Sequence, residues 1–171
     1  PVFVPASKKV QVTAGEFILC SPVSGKLVAL EKVPDPTFSD KIMGEGFAIE
    51  PSEGVIYSPV DGTVAQIFRT NHAIGLLSDA GAEVLIHVGL DTVKMRGRGF
   101  KAFVSNGDRV KIGDKLIEFD LELIAKEGKL TLTPVTVTNM DKVEKFELLK
   151  DTAVNSRVGA LDSNARVHLK E

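Results

Sequence analysis

The pentapeptide Ser-Pro-Val-x-Gly begins at Ser21 and again at Ser58, 37 residues further along a chain of 171. Proline fixes its own φ and glycine reaches backbone conformations closed to other residues, so each copy turns one extended segment sharply into the next. Short apolar runs flank the first copy, Glu16-Phe17-Ile18-Leu19-Cys20 before it and Lys26-Leu27-Val28-Ala29-Leu30 after it; Tyr57 and Thr63-Val64-Ala65 flank the second. A third stretch, Asn106 to Phe119, again alternates turn pairs (Gly107-Asp108, Gly113-Asp114) with brief apolar runs. Repeated short strands separated by such turns restrict the chain to an all-β sandwich or barrel.

Helix has little place in this pattern. Two short pieces are expected: residues 37–43, opened by Pro36, and 121–126, where Asp120 caps and Gly128 stops the helix. The β-branched runs Leu130 to Thr138 and Ala165 to Leu169 read as a further strand pair. Residues 1–15, with Pro1, Pro5 and Lys8-Lys9, read as an extended arm, and residues 16–171 as one domain large enough to bury a core without disulfides. The one cysteine, Cys20, points to a reducing compartment, with the cytoplasm the default. No apolar run approaches the length of a membrane span, so the chain is expected to be soluble, and Pro1 suits a separate protein that has lost its initiator methionine. With 21 basic and 23 acidic residues, one tyrosine and no tryptophan, there is neither the charge nor the stacking surface for nucleic acid.

Chemistry concentrates in the histidines, of which there are three. His168 alternates with Val167 and Leu169 and is expected to face solvent. His72 follows Thr70-Asn71, and His87 sits in the apolar run Glu83-Val84-Leu85-Ile86-His87-Val88-Gly89. A neutral imidazole donates from one ring nitrogen while the other acts as nucleophile or ligand, so a phosphoryl acceptor and a metal site both fit. Against them stands the plain alternative of a hydrogen-bonded core histidine and a loop histidine.

The motifs Ser58-Pro59-Val60-Asp61-Gly62, Thr70-Asn71-His72-Ala73, His87-Val88-Gly89-Leu90-Asp91-Thr92-Val93, Gly99-Phe100 and Leu132-Thr133-Pro134-Val135 together decide the matter. With them the chain, from about Phe17 to Val143, resembles the glucose-type enzyme IIA of the bacterial phosphoenolpyruvate-dependent sugar phosphotransferase system. That resemblance implies an antiparallel β-sandwich of the duplicated hybrid type, in agreement with the repeat. It further implies that His87 accepts the phosphoryl group, that His72 stabilises it, and that Thr70 is hydrogen-bonded to His72. Gly89, lacking a side chain, brings its carbonyl to the His87 ring. Phosphohistidine keeps a high transfer potential, and its transfer depends on positioning and charge stabilisation, with no metal or cofactor required.

The implied donor is the histidine-containing phosphocarrier protein, and the implied acceptor is the B domain of a sugar permease, reached through a cysteine. Phe38, Ile42, Met43, Phe68 and Leu85 match the family's apolar docking rim, with ordinary core as the plain alternative, evenly balanced for Phe68 and Leu85. Asp35 and Asp91 are the acidic residues expected to meet an arginine of the donor. Pro36 and Thr37 depart from the aliphatic residues of the family pattern. A zinc-dependent hydrolase on a similar β scaffold is the alternative, but a catalytic zinc usually takes three protein ligands and the sequence presents no His-x-His pair and no evident third ligand. A lipoyl-like carrier, suggested by Gly107-Asp108, lacks the Met-Lys hairpin turn.

Overall fold

Among the residues that the computed structural model describes, 15–151 and 156–170, the two Ser-Pro-Val-x-Gly segments make the same turn and clasp one another. In each copy a buried serine hydroxyl donates to the carbonyl two residues on, Ser21 to Val23 at 2.7 Å and Ser58 to Val60 at 2.6 Å. The Cys20 amide donates to the Pro59 carbonyl and the Tyr57 amide to the Pro22 carbonyl, a reciprocal exchange in which Cys20 corresponds to Tyr57 and Pro22 to Pro59, each 37 residues on. Later parts of the chain obey the same approximate two-fold relation. The Ser21 amide donates to the Asp162 carbonyl as the Ser58 amide does to Asp114, both at 2.8 Å. The Asp162 carboxylate accepts from the Gly159 amide as that of Asp114 does from Lys111, both at 2.9 Å. Gly113 takes φ +95° in one copy; its counterpart Leu161 takes φ +72°, a conformation rare for a branched side chain.

The strands in chain order are β1 (Glu16–Cys20), β2 (Gly25–Ala29), β3 (Glu45–Pro51), β4 (Val55–Tyr57), β5 (Gly62–Ile67), β6 (Ala73–Ser78) and β7 (Glu83–His87). They continue with β8 (Phe100–Ala102), β9 (Arg109–Val110), β10 (Lys115–Phe119), β11 (Thr133–Val137), β12 (Val143–Leu148), β13 (Arg157–Val158) and β14 (Ser163–Leu169). One open eight-stranded sheet runs β13-β2-β3-β11-β7-β6-β5-β9, and two three-stranded sheets run β1-β14-β12 and β4-β10-β8. Among the described residues every strand ladder is antiparallel and each of the three sheets ends in free edge strands, so of the two architectures the repeat allows, the chain adopts the sandwich and not a closed barrel. The duplication is visible in the order: β2, β3 and β11 stand on one side of the centre as β5, β6 and β7 stand on the other, with Val135 opposite Ile86 at the axis.

Alternation along the strands sends side chains to two separate cores. Val84 and Ile86 of β7, Ile74 and Leu76 of β6 and Val135 of β11 enter the large core between the sheets. Leu85 of β7, Ala73 of β6 and Ala48 of β3 point the other way, into a smaller cluster with Leu30, Val33, Phe38, Leu90 and Leu132. His87, two residues after Leu85, shares that second face. The small cluster is therefore the floor on which the histidines stand.

The helix at residues 121–126, α2 once the short helix before it is counted, forms as Leu121–Lys126, with the Asp120 carboxylate accepting from the Leu123 amide and Gly128 at φ +75° beyond its end. The earlier helix, α1, is shorter than residues 37–43 and occupies Pro36–Ser39. Asp35 caps it by accepting from the Thr37 amide, and Lys41 at φ +60° ends it before Met43. The expected pairing of 130–138 with 165–169 does not occur. Strand β11 lies between β3 and β7, and β14 lies between β1 and β12 in another sheet. A strand buried on both faces, as all five residues of β11 are, belongs at a sheet centre, and its own residues do not say which neighbours it has. His168 is also corrected: it is half-buried, with Glu16 at 3.1 Å from Nδ1 and Glu147 at 3.0 Å from Nε2, because strands on both sides bring carboxylates to it. The arm expected over residues 1–15 lies outside the described residues except for Gly15.

Candidate functional site

Hairpin β6–β7 brings the two histidines together. Ala73 pairs with His87 in register, and the Val88 amide donates to the His72 carbonyl at 2.7 Å, so the imidazoles emerge from neighbouring positions. Their ring centroids lie 5.0 Å apart at an interplanar angle of 80°. Each ring is fixed through Nδ1: that of His87 lies 2.7 Å from the Gly89 carbonyl oxygen and that of His72 lies 2.5 Å from Thr70 Oγ1. Phe38 stands against His87 at 5.4 Å between centroids, and Phe68 meets His72 edge-on at 5.6 Å. Both contacts limit ring rotation. Asn71, at φ +59°, makes the tight turn that carries Thr70 back toward its partner, a conformation asparagine tolerates better than most residues.

Burial keeps both rings neutral. His72 is 4 % exposed, and burial, with a smaller contribution from His87, lowers its pKa from 6.5 to about 4. His87 is also pushed below the ordinary value by burial, an effect that the Gly89 carbonyl and the Asp35 charge oppose. A neutral His87 facing a carbonyl oxygen must carry its proton on Nδ1, which leaves the lone pair on Nε2. The hydroxyl of Thr70 can donate to or accept from His72 Nδ1; only when it donates does His72 present an Nε2–H to an incoming anion.

The docking residues divide. Ile42 is 71 % exposed, Met43 and Phe68 are half-buried, while Phe38 is 4 % and Leu85 8 % exposed. The last two are thus largely buried: Phe38 sits under the α1 turn because the short helix folds it inward onto His87, and Leu85 points into the floor cluster. Asp91 is exposed and already engages Lys94 at 3.1 Å and Lys129 at 3.4 Å, which hold its carboxyl below the usual range. Sequence reasoning assigned no role to Val93 or Leu130, about half exposed, or to Thr92, fully buried beside Gly89. Thr92 and Val93 lay within a motif already singled out; nothing local marked Leu130, whose carbonyl reaches the site only by accepting from the Leu90 amide. Among the described residues no cluster of three or more His, Cys, Asp or Glu side chains converges as a metal-ligand set. No helix among them is long and apolar enough to cross a membrane.

The duplicated β-sandwich thus presents two facing imidazoles, each held through Nδ1. Residues 17–143 match the family described as phosphoenolpyruvate-dependent sugar phosphotransferase system, EIIA 1, and the chain belongs to that family. It is 49% identical over 144 residues to a PTS system glucose-specific EIIA component of Halalkalibacterium halodurans, covering 84% of this chain and 82% of the relative. A protein of the same description from Bacillus cereus is 53% identical over 132 residues, 77% of this chain and 80% of that one. Among solved structures, glucose permease IIA from Mycoplasma capricolum superposes with a TM-score of 0.81 at 34% identity, covering 88% of this chain and 95% of that chain. The protein is thus an EIIA component of a sugar phosphotransferase system.

Proposed function

We propose that the protein is a phosphocarrier that takes a phosphoryl group onto Nε2 of His87 from the histidine-containing phosphocarrier protein and passes it to a cysteine on the B domain of a glucose-type permease. The observation that carries this reading is the pair of rings 5.0 Å apart with both Nδ1 atoms occupied. In the accepting step the His87 Nε2 lone pair attacks phosphorus, a new N–P bond forms, and the donor's N–P bond breaks with its electron pair returning to the donor imidazole. The His87 ring, now substituted at both nitrogens, carries positive charge that the Gly89 carbonyl faces. His72, with Thr70 donating to its Nδ1, gives its Nε2–H to a phosphoryl oxygen, and as a neutral donor it does so without a change of protonation. Onward transfer reverses the bond order: the thiolate attacks phosphorus and the Nε2–P bond breaks.

Ile42, Met43 and Phe68 supply apolar surface around the site, and Asp35 and Asp91 supply negative charge for a basic partner. Such relays need small, short-lived contacts of roughly 1,200 Å² or less. The glucose label of the relatives supports a glucose-type permease as the acceptor. Incubation with phosphoenolpyruvate, the first enzyme of the system and the phosphocarrier donor tests the reading by intact mass. Wild type is expected to gain one acid-labile phosphoryl group and His87→Gln none; labelling of the His87→Gln protein would move the acceptor elsewhere.

A further inference from the structure

The turn from Val88 to Thr92 contains a buried hydroxyl that the transfer chemistry leaves without a task. Thr92 has no exposed surface, and its Oγ1 donates to the Val88 carbonyl at 2.6 Å. The Val88 amide, at the other end of the same residue, donates to the His72 carbonyl at 2.7 Å. Val88 is thereby pinned on both sides, to the backbone of one histidine and to the side chain of Thr92. Its carbonyl shares a peptide plane with the nitrogen of Gly89, so the direction of that carbonyl sets the rotation of the plane about which Gly89 turns. Gly89 follows at φ +75°, and its own carbonyl arrives 2.7 Å from His87 Nδ1.

The methyl of the same threonine closes the arrangement. A Cβ placed on Gly89 would lie 2.6 Å from Thr92 Cγ2 and 2.7 Å from the Leu130 carbonyl oxygen, so methyl and carbonyl together close the space that a side chain at this position would need. Leu90 then anchors the turn by donating to that Leu130 carbonyl. Without the hydroxyl the Val88 carbonyl is a buried acceptor with no partner, and such a group rotates toward whatever donor it can reach. Rotation of that plane carries the Gly89 carbonyl away from His87. The imidazole proton is then free to sit on Nε2, where it occupies the lone pair that attacks phosphorus.

We propose that Thr92 is a positioning residue: by holding the Val88 carbonyl it sets the Gly89 carbonyl, which keeps the His87 proton on Nδ1 and the Nε2 lone pair available. This rests on the reading of His87 as the phosphoryl acceptor. The test compares Thr92→Val, which keeps shape and loses the donor, with Thr92→Ser, which keeps the donor and loses the methyl. Nitrogen-15 NMR of the His87 ring reports the tautomer, labelling by the phosphoenolpyruvate-driven donor reports the rate, and the melting temperature reports the fold. Thr92→Val is expected to show the Nε2–H tautomer and to label roughly 3- to 10-fold more slowly, with Thr92→Ser within about twofold of wild type. A valine protein with wild-type tautomer and rate overturns the proposal whatever its melting temperature. Should valine prevent folding, Thr92→Ala removes the same donor and is judged by the same two signals. Labelling that persists in His87→Gln would instead sink the acceptor reading, while the tautomer comparison still decides whether Thr92 orders the ring.

Discussion

Replacing His72 with glutamine removes an imidazole that the fold holds neutral, and the consequence is a change in how stability depends on pH. In the unfolded chain His72 titrates near the ordinary 6.5; in the folded protein burial lowers this to about 4. Between these values the unfolded state binds the proton and the folded state does not, so stability is fully present above the unfolded pKa and is lost as pH falls toward the folded one. A shift of this size corresponds to about 3 kcal/mol when fully expressed, and by about pH 5 roughly 2 kcal/mol of it is already gone. Ordinary carboxylates titrate below that, which leaves the window from about pH 7 to about pH 5 to the histidines. His87, lowered in the same direction, adds to the slope in both proteins. Urea unfolding at both pH values is therefore expected to show wild type losing about 2 kcal/mol more than His72→Gln over the interval. Equal losses in the two proteins would mean that His72 titrates in the folded protein as it does in the unfolded chain, and the account of a ring held neutral by burial would fail with it.

His72→Gln should also slow both acceptance and onward transfer by about 100- to 1,000-fold, the usual loss for one preorganised donor, while His87 still becomes labelled in quench-flow. Thr70→Val should slow transfer less, since it frees the His72 ring without deleting it; a larger loss than His72→Gln would contradict that order. Ile42→Lys, at a 71 % exposed position, should leave stability within about 0.5 kcal/mol and slow transfer with both partners, and a wild-type rate would remove Ile42 from the docking surface. Phe38→Ala, at a 4 % exposed position in the floor cluster, should instead cost roughly 3 to 5 kcal/mol in denaturant unfolding.

Turn chemistry and alternation made much of this molecule legible in one dimension. Ser-Pro-Val-x-Gly twice over announced a duplicated β architecture, and Asp120 with Gly128 marked a helix that forms over Leu121–Lys126. The histidines fifteen residues apart, one before a strand and one ending the next, were placed by a hairpin, which is local structure. What lay beyond local reach shares a common cause. That Phe38 turns inward was not legible, because an apolar residue on a loop carries no sign of which way a four-residue helix will turn it. His168 looked exposed because period-two alternation is blind to the carboxylates that neighbouring strands set beside it.

The sequence by itself determined the class of fold, the duplicated turns and the pair of imidazoles, because these follow from residue types at short spacing, where φ restriction and side-chain alternation act. Only the tertiary structure decided that β11 lies against β7 and that Phe38 is floor. Only it decided, too, that His72 is neutral and that the Thr92 hydroxyl is spent on Val88. Each of these depends on groups brought together from distant parts of the chain, and burial, the force behind the lowered pKa and the inward phenylalanine alike, has no value until the whole surface has closed around a residue.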